Sequence, residues 1–236
     1  MVRSVAVPLI YLPNNCLSSD ILLFSSLLVT IQKFYLKEKG VRKHTCQPLK
    51  WSTAQKLLAV MRKDAELNPV MARDRLMLAI GFYTGLRISD ILKLTWLLLS
   101  EEKWIITERK TEKIRQIDVN PALRRIISHT EEQITILDYE DPIFIGTRGP
   151  QTGKPMSVVA ANGRIKAIFE KYEIEAENAS SHTLRKTFGK RVYEANRKSE
   201  DALILLSDIF SHSSIRETRK YIGITTERIK NVYLNI

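Results

Sequence analysis

Between Trp104 and Val119 the hydrophobic pattern of the chain changes period, and that change narrows the possible folds more than any other feature of the 236 residues. On either side, apolar residues recur at the three- and four-residue intervals of amphipathic helices. Within WIITERKTEKIRQIDV they alternate, so the stretch reads as strand, basic turn and strand, with Thr111-Glu112 near the tip. A β-hairpin is thus embedded among helices. The expected class is mainly α with a small antiparallel β-sheet, an α+β fold.

Helix signals surround the hairpin. Ser52 and Thr53 can cap a helix through about Met61, and a second follows Pro69, with Leu76, Leu78, Ala79, Ile80 and Phe82 at helical spacing until Thr84-Gly85 stops it. Another begins around Ser89-Asp90 and carries Ile91, Leu92 and Leu94. Pro121 restarts helical patterning, residues 144 to 149 read as extended, and later helices are expected over 157 to 172, 181 to 196, 200 to 209 and 214 to 221. Upstream, one helix is expected over 20 to 38, followed by the basic stretch GVRKHTCQPLK, which has the charge and the Pro48 of a linker. The domain boundary is placed near Leu49. Residues 1–48 then form a helical appendage and linker, and 49–236 the main domain.

Composition sets the class of partner. Lys and Arg number 37 against 26 Asp and Glu, a net charge of +11, which makes a polyanion the natural ligand, although a basic surface alone does not separate a nucleic-acid binder from a merely solvated face. Cys16 and Cys46 are far apart and outside any paired pattern, so neither a disulfide framework nor a zinc site is expected and no cofactor is implied. The apolar run Ile21 to Ile31 is about half the length needed to cross a membrane and reads as a buried helix. Pro8 and Pro13 interrupt the first apolar residues, which argues against a secretory signal. A cytoplasmic setting without membrane association is the expectation.

Four local motifs follow one another: TGLRISDIL (84 to 92), ITERKTEKIRQIDV (106 to 119), SHTLRKTF (181 to 188) and FSHSSIRETRKYIGI (210 to 224). Their chemistry is that of a phosphate site. Attack on a phosphodiester builds negative charge on the two nonbridging oxygens, and planar guanidiniums such as Arg87 and Arg185 donate paired hydrogen bonds there without losing their protons. His182 and Arg185 are three residues apart and share a helix face, and Ser180 or Ser181 can cap that helix so that its first amides also favour an anion. From that face His182 can assist proton removal from Tyr221 or hydrogen-bond the phosphate. Tyr221 carries a phenol, a weak nucleophile near neutral pH that needs a cationic pocket and a nearby base.

Over residues 49 to 236 the ordered set Arg87, Lys110, His182, Arg185, His212 and Tyr221 resembles the tyrosine recombinase (phage integrase) family. The intervals fit as well, with 23 residues from Arg87 to Lys110, three from His182 to Arg185 and nine from His212 to Tyr221. The resemblance implies that Tyr221 attacks phosphorus, that Lys110 protonates the departing 5′ oxygen, and that His212 hydrogen-bonds the scissile phosphate. It also implies that Asp90 orients the clamp from behind. Lys113 and Arg109 stand close enough in sequence to Lys110 to remain alternatives for the acid. Read singly, Arg87 is an ordinary helix-end cation, the two histidines could be structural, and Tyr233 is a second tyrosine, but only Tyr221 stands at the family interval.

Two departures accompany the match. Where the family commonly has Leu-Gly-His, this chain has Ile209-Phe210-Ser211-His212, without the glycine. Only 48 residues precede Leu49, fewer than the family's usual core-binding domain, so a full clamp around DNA is not expected. Arg109, Lys113, Arg115, Lys154, Arg164, Lys166, Lys186 and Lys190 are candidates for phosphate contacts that position the duplex. The residues after Tyr221 suit a short terminal helix, which in the family packs on a neighbouring protomer of a tetramer. The expected function is site-specific cleavage and rejoining of double-stranded DNA through a 3′-phosphotyrosine, without metal or ATP. The alternatives are a DNA-binding or accessory module without autonomous activity and a topoisomerase of the same chemistry. Metal-dependent nucleases are disfavoured, because no carboxylate cluster accompanies the motifs.

Overall fold

The computed structural model describes residues 46–108, 112–146 and 153–235, with the side chains of 226–230 left aside. The chain divides into two units, Met1–His44 and Thr45–Ile236, and the described residues belong to the second. The helix expected over 20 to 38, Cys16, and the hairpin residues Arg109, Lys110 and Thr111 lie outside the described residues.

Two long helices open the unit, α1 (Trp51–Leu67) and α2 (Pro69–Thr84). Asn68 separates them by adopting an extended conformation, and its Oδ1 accepts the Val70 N–H at 2.9 Å, while Pro69 supplies a first helical residue that needs no partner for its nitrogen. The sequence MARDRLMLAIGFYT is apolar nearly all round, and α2 is accordingly the central helix, buried from Ala72 through Phe82 along most of its length. Helix α1 extends one and a half turns beyond the expected Met61, because Ala65 is still buried against its neighbours.

A short turn leads into α3 (Ile88–Ile91), then α4 (Trp96–Ser100), which the sequence pattern did not announce. Five residues are too few for a periodic signal, yet Thr95 Oγ1 caps the helix by accepting the Leu98 N–H, and Trp96 and Leu99 anchor it in the core. The hairpin follows as β1 (Lys103–Thr107) and β2 (Ile114–Asp118), antiparallel, with Trp104 opposite Ile117 and Ile106 opposite Arg115. Its period of two sends Trp104 and Ile106 inward, where Trp104 is wholly buried. The mainly α class with a small antiparallel sheet is thereby observed.

Capping residues start the remaining helices: Asn120 for α5 (Pro121–Glu132), Ser157 for α6 (Val158–Lys171), Ser199 for α8 (Glu200–Phe210) and Ser214 for α9 (Ile215–Tyr221). Before α7 (Ser181–Ala195) the Ser180 N–H donates to Thr183 Oγ1 at 3.2 Å. The segment expected to be extended near Phe144 contributes an isolated bridge between Ile145 and Pro155. A final helix, α10 (Ile224–Leu234), closes the described chain. One large core holds α1, α2, the hairpin, α5 and α6, and a small second cluster of Leu203, Leu206, Phe210 and Ile222 carries the last helices. Among the described residues no helix is long and apolar enough to cross a membrane.

Candidate active site

Helix α2 ends at Gly85, whose φ of 62° reverses the chain, and a Cβ there would collide with the Phe188 ring. Thr84 Oγ1 donates to the Ile80 carbonyl at 2.7 Å and accepts the Leu86 N–H at 3.2 Å, so the turn is pinned from within. Arg87 leaves this turn as the residue preceding α3. Its Nη1 lies 2.5 Å from Glu108 Oε2, and its Nη2 donates to the Phe210 carbonyl at 3.1 Å. Arg185, one helical turn after His182 on α7, donates from Nη2 to the same Phe210 carbonyl at 3.1 Å and from Nη1 to the Gly85 carbonyl. The guanidinium of Arg185 lies over the Phe210 ring, 4.3 Å from its centre. Phe210 is the last residue of α8, and its carbonyl has no partner within the helix, so it is a natural acceptor for cations.

Chain reversal after α8 uses Ser211 in the left-handed region, at φ 52° and ψ 45°, and this turn brings His212 back beside the cluster. The His212 N–H donates to the Ser207 carbonyl at 2.9 Å, and Nδ1 is 2.9 Å from Thr218 Oγ1, so both backbone and ring are held. Tyr221 ends α9, with its ring edge-on to Phe210 and His212 at centre distances of 5.4 and 5.1 Å. Its hydroxyl is 3.2 Å from His182 Nδ1. The structure thus gathers Arg87, His182, Arg185, His212 and Tyr221, drawn from three separate stretches of sequence, beside Phe210.

Burial and crowding of like charges tune these groups. Burial pushes the Tyr221 phenol up to about 12, a shift that the neighbouring Arg185 and Arg87 only partly oppose. His182 moves the other way: desolvation first, then the cations of Lys186, Arg185 and Arg87, lower its pKa, although the residue keeps contact with solvent. Arg185 is lowered to about 10, mainly by burial, with Arg87 and Arg115 adding repulsion. A neutral imidazole beside a protonated phenol in a cationic recess is suited to proton transfer next to a bound anion. A cavity of about 350 Å³ lined by Cys46, Asn178, Ser180, His182, Lys186 and Tyr221 opens at this place.

Glu108 was not singled out by the sequence, yet it is 1% exposed and faces Arg87 and, at 3.9 Å, Arg115. Parity along the strand carried the signal: with Trp104 and Ile106 inward, position 108 is inward too, and a buried carboxylate requires cationic partners. Asp90, expected behind the clamp, is 3% exposed, accepts a long hydrogen bond from Ser89 Oγ at 3.4 Å and raises the pKa of Arg115 electrostatically.

The candidate phosphate contacts separate into different settings. Arg115 lies inside the cluster, donating to the Thr84 carbonyl at 2.7 Å, and burial lowers its pKa. Lys186 is buried, donates to the Cys46 carbonyl at 2.7 Å and sits 5.3 Å from the centre of the Tyr221 ring. Arg164 grips Asp74 with two hydrogen bonds of 2.5 Å, joining α6 to α2. Lys113, Lys154 and Lys166 are exposed, and Lys190 is half-buried. Arg109 and Lys110 lie outside the described residues. No group of three or more His, Cys, Asp or Glu side chains that could hold a metal ion occurs among the described residues.

Comparison with known proteins places the chain in a family. The profile of the phage integrase family matches residues 48–228. Tyrosine recombinase XerC of Bradyrhizobium diazoefficiens is 26% identical over 207 residues, covering 84% of this chain and 61% of the relative. The probable integrase/recombinase YoeC of Bacillus subtilis is 29% identical over 191 residues, covering 80% and 96%. Among solved structures, XerH site-specific recombinase bound to palindromic difH substrate superposes with a TM-score of 0.58 at 20% identity, over 79% of this chain and 52% of that one. The Tn1549 transposon integrase in complex with transposon right end DNA also gives 0.58 at 20% identity, over 83% and 68%. This chain spans only about three fifths of the length of the Bradyrhizobium relative. With a profile match over most of its length, the chain belongs to the phage integrase family.

Proposed function

We propose that this chain cleaves and rejoins double-stranded DNA at specific sites through a covalent 3′-phosphotyrosine at Tyr221. The observation that carries the reading is that two guanidiniums share the Phe210 carbonyl while the Tyr221 phenol beside them meets His182 through its hydroxyl and His212 through its ring. Three arginines stand close together there, and an anionic phosphate relieves their mutual repulsion while they stabilise the charge that develops on its nonbridging oxygens.

With its pKa near 12 the phenol is protonated at neutral pH and needs a base. His182 fills that role, being neutral and 3.2 Å away through Nδ1, in the tautomer that carries its proton on Nε2. In the first step the bond from the Tyr221 oxygen to phosphorus forms as the bond from phosphorus to the 5′ oxygen breaks. The phenol proton passes to His182, and the leaving oxygen takes a proton from Lys110, with Lys113 as the alternative donor. His212, its ring held by Thr218, supports the phosphate. Rejoining reverses these transfers. The phosphodiester energy is retained in the covalent bond, so neither a metal nor ATP is required. Exposed Val232, Tyr233 and Leu234 on α10 suit packing on a neighbouring protomer of a DNA-bound tetramer.

A nicked suicide substrate incubated in EDTA without ATP tests the reading: a covalent protein–DNA adduct is expected, and Tyr221→Phe is expected to abolish it while leaving DNA binding intact. Adduct formation by that variant removes Tyr221 from the mechanism. A gel shift without adduct in the unaltered chain means a binding module instead.

A further inference from the structure

Glu108 occupies a place the family reading leaves unassigned. It directly follows β1, on the inward face defined by Trp104 and Ile106, and its N–H donates to the Lys113 carbonyl at 3.0 Å, which fixes the base of the hairpin turn. One carboxylate oxygen meets Arg87 at 2.5 Å and accepts from Ser211 Oγ at 3.5 Å, and the other lies 3.9 Å from Arg115. Three separate pieces of the site therefore meet at one side chain. They are the turn after α2 that presents Arg87, the second strand of the hairpin through Arg115, and the reversal at Ser211 that delivers His212.

Electrostatics explain why the piece is needed. Arg87, Arg115 and Arg185 crowd around the carbonyls of Thr84, Gly85 and Phe210, and those carbonyls carry only partial charge. Without the Glu108 charge at its Nη1, Arg87, the most exposed of the three arginines at 19%, is the one free to swing out to solvent. The unusual backbone fits the same account. Ser211 stands where the family commonly has glycine, in a left-handed conformation unfavourable for a residue with a Cβ, and its hydroxyl reaches Glu108 from there.

We propose that Glu108 is a positioning residue for the DNA-cleavage reaction: it holds the Arg87 guanidinium in the phosphate-binding orientation and ties it to the hairpin that carries the general acid and to the turn before His212. The inference rests on the strand-transfer reading above.

The test is single-turnover cleavage of the suicide substrate at saturating DNA, with DNA affinity measured separately. Glu108→Gln keeps the shape and removes the charge. Its cleavage rate constant is expected to fall about 10- to 100-fold, as for a displaced catalytic group, with affinity changed by less than about twofold. Glu108→Asp restores the charge on a shorter stem and is expected to recover part of the rate. In an Arg87→Lys background, Glu108→Gln is expected to cost less than about threefold more, because its effect runs through Arg87. Equal cleavage by Glu108→Gln and the unaltered chain, or fully additive losses in the double variant, overturns the inference. If Glu108→Gln does not fold, Glu108→Ala decides by the same cycle: wild-type cleavage by that variant, or losses fully additive with those of Arg87→Lys, are equally fatal. Absence of adduct from the unaltered chain instead defeats the strand-transfer reading itself, so the two failures are distinct.

Discussion

Gly189 offers a sharp test of how closely the second cluster is packed beneath Tyr221. It lies on α7, and a Cβ placed there would be 2.7 Å from Ile222 Cγ2 and 2.9 Å from Phe210 Cε2 and Cζ. Helix propensity alone favours Gly189→Ala by about 0.5–1 kcal/mol, since alanine loses less backbone freedom than glycine on folding. Packing opposes it. Three atoms would need to retreat by roughly an ångström to reach ordinary contact, and overpacking of this kind costs about 1–3 kcal/mol. Neither neighbour is a flexible side-chain end: the Phe210 ring is wedged under Arg185, and Ile222 is fully buried next to Tyr221 in sequence. The net expectation is destabilisation of about 1–2 kcal/mol, or a fall of about 2–4 °C in Tm for each kcal/mol in a unit of this size. Urea unfolding with an unchanged m-value measures the stability, and single-turnover cleavage reports whether Phe210 and Tyr221 have moved, with a slower rate expected. A variant that is as stable as the parent and cleaves equally fast refutes the packing argument, because it means that the cluster accommodates a methyl group without shifting the site.

Other predictions follow from the charges. Burial and three neighbouring cations favour neutral His182, so an NMR titration of the free protein is expected to place its midpoint below the ordinary 6.5, and a midpoint above that value contradicts the proposed base. The cleavage rate should accordingly fall only as pH drops through that lowered value, when His182 becomes protonated. Arg164→Ala strips the buried Asp74 of its bidentate partner and is expected to cost about 3 kcal/mol in urea unfolding, with DNA affinity and its salt dependence unchanged. A loss of DNA affinity without a loss of stability assigns Arg164 to the phosphate contacts.

Much of this arrangement was legible from residue order. The hairpin is visible because alternation is a purely local property of the chain, and Pro69 and Pro121 mark two helix starts because a first helical residue needs no partner for its nitrogen, whereas the caps read at Ser52 and Thr53 fall inside α1, which starts at Trp51 without a side-chain cap. Helix α4 was not legible, since one turn holds too few residues to show a period and its identity depends on Trp96 and Leu99 finding the core. Arg164 and Lys186 look alike in the sequence as basic residues on amphipathic helices. Their partners, Asp74 and the Cys46 carbonyl, are 90 and 140 residues away, and no local pattern contains them.

The sequence by itself determined which side chains could handle a phosphate and in what order they occur, because guanidinium, imidazole and phenol chemistry belongs to residue identity and spacing. Tertiary structure alone decided that the two guanidiniums share one carbonyl beside the phenol and that Glu108 sits among the arginines. It also decided that burial raises the Tyr221 phenol and lowers His182. The physical reason is that desolvation and Coulomb energy depend on distances between segments that only the folded core brings together.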